Sequence, residues 1–203
     1  MSAQTNTRPR IGLYSGTFDP VHAGHISFAL QALESANLDQ IYFLPERRPR
    51  SKIGTEHFAH RVAMIKRASR PHKKLHVVEL EDVSFSVAQT LPRLQKRFKN
   101  AQLVFMVGSD VIEFMPSWPN SNQLFKQTEL VVGLRDSHDQ VMVQALIESW
   151  PVKPQAITTI ASCAPQVSSR KVREALRRRE HVPGLLQSVW RYSERNWLYI
   201  SLA

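Results

Sequence analysis

The stretch that most constrains this chain is Ile11 to His25, IGLYSGTFDPVHAGH. Ile11, Leu13 and Tyr14 form a short apolar run of strand type, Ser15-Gly16-Thr17 and Asp19-Pro20 are turn chemistry, and a helical pattern begins just after His22. The pattern predicts a strand that feeds a helix through a turn of small residues. Gly16 lets the backbone pass close to a ligand, the opening helix aims N–H groups at whatever sits there, and His22 and His25, three apart, share its first face. Such a turn is a place for phosphate, because two imidazoles can meet the redistributed charge of a phosphoryl group with hydrogen bonds or positive charge. His-x-x-His alone is equally the pattern of a capped surface helix; the turn in front of it moves the reading towards phosphate.

The chain has 203 residues, enough for one α/β domain with a sizeable core, and no apolar run approaches the ~20 residues of a membrane span. Residues 1–9 are polar, lack the hydrophobic segment of a signal peptide and are expected to form a flexible leader, which makes a cytoplasmic protein the expectation. The one cysteine, Cys163, has no disulfide partner and no metal-type neighbour, so a buried structural thiol is expected. A net charge of +10 calls for an anionic partner: nucleotide, pyrophosphate or nucleic acid. The basic residues gather at Arg47-Arg48-Arg50-Lys52, at Lys66-Arg67 with Arg70, at Lys96-Arg97 with Lys99, and from Arg170 to Arg179. Solvated helix faces account for the second and third clusters.

Taken in order, the chain alternates strand and helix. Ser27 to Ala36 has helical spacing, Ile41 to Leu44 is a buried strand ending at Pro45, and Thr55 can cap a helix from Glu56 to about Ser69. Leu75 to Leu80 is a third strand candidate and Val87 to Phe98 a third helix. Leu103 to Val107 is the most apolar strand and ends in Gly108-Ser109-Asp110. In doubly wound sheets ligands collect beyond the carboxyl ends of the strands, so Asp110 is placed either to hold a ribose hydroxyl or metal-bound phosphate, or simply to cap a turn. Glu129 to Leu134 is a strand, Arg135 to Asp139 a polar loop with no readable task, Val141 to Trp150 a helix, and Ile157 to Ala161 the last strand. The expected fold is α/β: a Rossmann-like, doubly wound parallel sheet in a single domain, with a small helical C-terminal part over residues 168–203. Ser168 is a good cap for the helix that follows, yet Arg170, Lys171 and Arg173 place positive charge where the helix dipole is already positive. A bound anion would reverse the sign of that interaction. Leu185 to Leu198 carries an apolar side and is expected to pack over the sheet edge.

Gly16 to His25 resembles the GTFDPxHxGH signature of the nucleotidyltransferase superfamily, complete over ten positions. Ser168-Ser169 with Arg173 resembles its second signature, ISSTxxR, which holds the triphosphate of the incoming nucleotide. Gly108-Ser109-Asp110 followed by Pro116-Ser117-Trp118, together with Ala88-Gln89-Thr90-Leu91 and Leu198-Tyr199, is similar to the nicotinate (or nicotinamide) mononucleotide adenylyltransferases. The resemblance implies an enzyme that transfers AMP from ATP to a pyridine mononucleotide and releases pyrophosphate, in NAD biosynthesis, with Mg²⁺ accompanying ATP on phosphate oxygens and water.

It further implies site residues. His22 and His25 would be catalytic at the ATP phosphates; Ser15, Gly16, Thr17, Phe18, Gly24, Gly108, Asp110, Ser168, Ser169 and Arg173 would bind ATP; Thr90 and Trp118 would lie on the acceptor side, Trp118 stacking on the pyridine ring. The chain departs from the family after its second strand, where Pro45-Glu46-Arg47-Arg48-Pro49-Arg50-Ser51-Lys52 replaces the usual Pro-Pro-His-Lys, and at Phe85-Ser86-Val87, which replaces Ser-Tyr-Thr. Arg48, Arg50 or Lys52 is expected to supply the missing charge, Lys52 bridging the two substrates. Two other readings stay open: another phosphorylated acceptor such as phosphopantetheine, and a non-catalytic nucleic-acid-binding protein on the same fold. A homo-oligomer is open; a membrane partner is not expected.

Overall fold

A computed structural model describes residues 8–49, 54–135, 137–161 and 167–200. Lys52, Arg50 and Cys163, named above, lie outside the described residues. Six strands form one parallel sheet in the order β3-β2-β1-β4-β5-β6: β1 (Arg10–Gly16), β2 (Gln40–Pro45), β3 (Leu75–Val77), β4 (Gln102–Gly108), β5 (Glu129–Leu134) and β6 (Ile157–Ala161). Chain order reverses between β1 and β4, so the crevice beyond their carboxyl ends lies after Gly16 and Gly108. This is the expected fold.

The strands are buried on both faces because side chains of opposite parity feed two cores. Ile41 and Phe43 of β2 with Val104 and Met106 of β4 face one layer, joined by helices α1 (Ala23–Ser35), α2 (Phe58–Ser69), α7 (Ser169–Arg178) and α8 (Gln187–Arg195). Leu13, Leu44, Leu103, Phe105 and Val107 face the other, covered by α3 (Thr90–Arg97), α4 (Ser109–Ile112), α5 (Ser121–Gln127) and α6 (Ser137–Ser149).

The differences from the expected elements have physical causes. Helix α2 starts at Phe58 with His57 at its N-cap, not at Glu56 under Thr55; the Glu56 backbone N–H is drawn instead to the Asp19 carboxylate. Helix α3 starts at Thr90 rather than Val87, because the Thr90 hydroxyl accepts the Ser86 N–H and ties the preceding loop. Helix α6 starts at Ser137, inside the stretch expected as a loop. β3 stops at Val77, short of Leu80. The Leu185 to Leu198 segment packs through Val189 into the α1–α2 core, with Tyr192 bonded to His60 of α2, rather than over a bare sheet edge.

Gly12, in the middle of β1, is roofed by side chains of the two neighbouring strands and by Leu38. A Cβ there would stand 2.8 Å from Ile41 Cγ1, 2.9 Å from Leu38 Cδ1 and 2.9 Å from Met106 Sδ. Gly12→Ala should therefore cost about 1–3 kcal/mol, the usual range for overpacking a filled core, read as a lowered urea midpoint at unchanged slope.

Candidate functional site

The site forms where β1 ends. Gly16 is needed there because the Phe18 ring lies 3.0 Å from where its Cβ would be. Phe18 itself sits at φ 51°, a left-handed conformation. Its ring is held by edge contacts with Tyr14, Phe43 and His25, at centroid separations of 5.2, 5.3 and 5.1 Å. The turn is thereby fixed from beneath by aromatic packing.

His22 and His25 are brought together as expected, with ring centroids 3.8 Å apart. The His22 backbone N–H donates to His25 Nδ1 at 3.1 Å. Because Nδ1 accepts, a neutral His25 carries its proton on Nε2, a donor suited to a phosphoryl oxygen. His22 is 7% exposed, and its Nδ1 is one of two buried side-chain polar atoms without a partner among the described residues. Burial pushes its pKa down to about 4. A neutral, buried imidazole beside a helix start is an environment that gains from a bound anion, which would supply the missing partner and favour the proton.

The second segment docks directly on the first. Ser169 Oγ donates to the Pro20 carbonyl at 3.0 Å, and Arg173 Nη1 donates to the Asp19 carbonyl at 2.5 Å and lies 3.7 Å from Asp19 Oδ2. Ser168 caps α7, accepting from Lys171 N at 3.3 Å. The basic start of this helix is thus answered in part by a buried carboxylate. The Ala23 N–H at the start of α1 donates to the Gly184 carbonyl at 2.9 Å, so the connection between α7 and α8 also closes on the histidine turn.

Asp19, 3% exposed, is central to this assembly. Its Oδ1 accepts from the Tyr199 hydroxyl at 2.7 Å and from Glu56 N at 3.3 Å. Burial, followed by the Asp19 charge, raises the Tyr199 pKa far above its usual value, so the hydroxyl stays a donor.

Gly108 and Asp110 flank the same crevice from β4. Asp110 is exposed and pairs with Arg135 (Nη2 to Oδ2, 2.9 Å). Ser109 donates to Asp139 Oδ2, which also accepts from Arg135 N at 2.7 Å. Arg135 and Asp139, at the two ends of a stretch without a readable task in the sequence, therefore organise the end of β4.

On the acceptor side, Trp118 is half-buried and packs edge-on against Phe105, with centroids 6.3 Å apart. Arg48 is exposed, with its backbone N–H donating to Val83 O at 2.9 Å. Thr90 is fully buried, and its hydroxyl donates to Asp82 Oδ2 at 3.2 Å while accepting from Ser86 N. The structure thus places Thr90 as a brace of the 82–86 loop. Tyr199 entered the sequence reading only as part of the Leu-Tyr ending. Arg61, fully buried in the same neighbourhood, was missed, although a charged residue on the stripe Phe58, Arg61, Ile65, Ala68 is a visible signal.

Residues 13–175 match the cytidylyltransferase-like family model. The chain is 34% identical to nicotinate-nucleotide adenylyltransferase of Bacillus subtilis (strain 168), over 95% of this chain and 99% of the relative. It is 34% identical to a probable nicotinate-nucleotide adenylyltransferase of Oceanobacillus iheyensis, over 93% and 96%. In fold it matches Plasmodium falciparum nicotinic acid mononucleotide adenylyltransferase, solved in complex with NaAD, with a TM-score of 0.78 at 19% identity, covering 94% of this chain and 97% of that one.

The His22 environment gives a signed prediction. The unfolded chain binds a proton at this imidazole near pH 6.5 and the folded chain only near 4. Stability present above pH 6.5 is therefore lost as pH falls through that window, by about 3 kcal/mol in all. In urea unfolding from pH 7 to 4, His22→Asn should lose less stability than the wild type by roughly that amount. Parallel losses in the two proteins would mean that His22 is not buried neutral.

Proposed function

We propose, because the chain belongs to the nicotinate-nucleotide adenylyltransferase family of cytidylyltransferase-like proteins, that it transfers AMP from ATP to nicotinate mononucleotide and releases pyrophosphate, a step of NAD biosynthesis. The observation that carries the reading is the docking of Ser169 and Arg173 on Asp19-Pro20. It brings segments about 150 residues apart together next to two histidines, which supports one shared place for an anion. That is the arrangement a triphosphate needs.

In this reading the 5′-phosphate of the mononucleotide attacks the α-phosphorus of ATP, the bond to the pyrophosphate oxygen breaks, and the protein supplies no nucleophile. Positioning and charge stabilisation then account for catalysis. His22, whose Nδ1 lacks a partner, would stand nearest the reacting phosphorus, and His25 would donate through Nε2. The backbone of Ser15, Gly16, Thr17 and Phe18, with Gly24 at the helix start, would line the nucleotide. Ser168, Ser169 and Arg173 would hold the outer phosphates, Arg173 exchanging part of its contact with Asp19 for them. Gly108 and Asp110 would serve the ribose side, with Arg135 beside them.

Imidazoles, hydroxyls and a guanidinium around the turn fit phosphate oxygens better than a bare hard cation. Among the described residues no three His, Cys, Asp or Glu side chains are grouped to hold a metal. Mg²⁺ would accordingly ride on the phosphates and neutralise their charge. Trp118 offers an aromatic face to the pyridine ring, and the exposed Arg48 suits the added carboxylate of the nicotinate form.

Pyrophosphate release with ATP and each mononucleotide in turn tests the assignment. The nicotinate form should be used at least about tenfold better than the nicotinamide form, the scale expected when one charged contact is lost. Release with neither would refute the reaction. His22→Ala should lower turnover about a hundredfold or more, and near-normal turnover would remove His22 from the mechanism.

A further inference from the structure

Arg61 of α2 is fully buried, and its hydrogen bonds go to backbone carbonyls of three separate segments. Nη1 donates to Thr17 O at 2.7 Å, in the turn between β1 and α1. Nη2 donates to Glu46 O at 2.7 Å and to Arg47 O at 3.1 Å, in the loop that leaves β2. Nε donates to Glu56 O at 2.9 Å, just before α2. One rigid, planar group thus touches the turn assigned to ATP with one amino arm and the stem of the loop assigned to the acceptor with the other.

The same stem is fixed by other contacts that leave little slack. Glu46 N donates to Gly16 O at 3.1 Å, Arg47 Nε donates to Leu80 O at 2.7 Å, and the Arg47 guanidinium lies 4.4 Å over the Phe58 ring. A buried cation is costly, and an apolar side chain would fill this part of α2 at lower cost. What an apolar side chain cannot do is hold carbonyls of two loops at the separation of the two arms of one guanidinium. Lysine cannot do it either, since a single ammonium lacks the fork.

We propose that Arg61 is a positioning residue that sets the distance and angle between the acceptor phosphate and the α-phosphorus of ATP by clamping their two loops together. It touches neither substrate. The inference rests on the assigned reaction, in which in-line approach dominates the rate and a misplacement of about 1 Å costs on the order of a hundredfold.

The test measures Arg61→Lys and Arg61→Ala against the wild type, per folded molecule. Calorimetry gives the Kd of ATP and of nicotinate mononucleotide separately, and pyrophosphate release gives kcat. For Arg61→Lys each Kd should stay within about threefold while kcat falls about a hundredfold, because each loop still binds but the two are misaligned. Guanidinium ion at non-denaturing concentration should restore part of the kcat of Arg61→Ala, and methylammonium should not. An unchanged kcat in Arg61→Lys would overturn the proposal, as would a loss of kcat matched by loss of both affinities. Failure of both variants to fold would also overturn it, by making Arg61 a residue of the fold alone. The wild-type rate separates the two readings: an inactive wild type refutes the assigned reaction, whereas an active wild type with an equally active Arg61→Lys refutes only the clamp.

Discussion

The site depends on how one buried carboxylate is satisfied. Asp19 is almost wholly removed from water, and a carboxylate in that position is tolerated only when its oxygens are bonded and its charge is answered. The Tyr199 hydroxyl and the Glu56 N–H supply the bonds, and Arg173 with the more distant Arg61 supplies the charge. These partners come from the C-terminal end, the start of α2 and the start of α7. To bury Asp19 the chain must bring all of them to the turn after β1, and in doing so it sets Ser169 and Arg173 beside the two histidines, the place proposed for the triphosphate.

Charge follows from the same constraint. Burial lowers the pKa of Arg61 and the Asp19 charge raises it, so the pair share one region of low dielectric without forming a direct bond. Arg173 sits at a helix start where its charge is unfavourable, and the nearby Asp19 offsets part of that cost. His22 receives no such compensation and is neutral near pH 7. Its Nδ1 is left without a hydrogen-bond partner among the described residues.

Much of this was legible in the chain. The strands declared themselves as apolar runs, since a parallel sheet covered on both faces needs side chains of both parities to be apolar, as in Leu103 to Val107. The strand–turn–helix and the late Ser168 cap were readable because each is a local pattern with a local cause. Helix starts were less legible: Glu56 and Val87 have periodicity on their side, but bonds to distant or looping partners decide the boundary. The short α4 and α5, separated by a connection that contains Pro116 and Pro119, have too few turns to show a period. Thr90 was visible as a motif residue, yet its brace to Asp82 depends on tertiary geometry. Arg61 stands out in the sequence as a charge on an apolar stripe, but its partners are carbonyls, which leave no signature in side-chain sequence and so hid what it does.

In the proposed function the histidine turn and the start of α7 act on one ligand. The most direct measurement is titration calorimetry of ATP with the wild type, His22→Ala, Arg173→Ala and the double variant. The expected result is one site per chain, weaker binding in each single variant, and a double variant whose loss differs from the sum because both residues share the triphosphate. Two independent sites, or additive losses with Arg173→Ala indistinguishable from wild type, would contradict it.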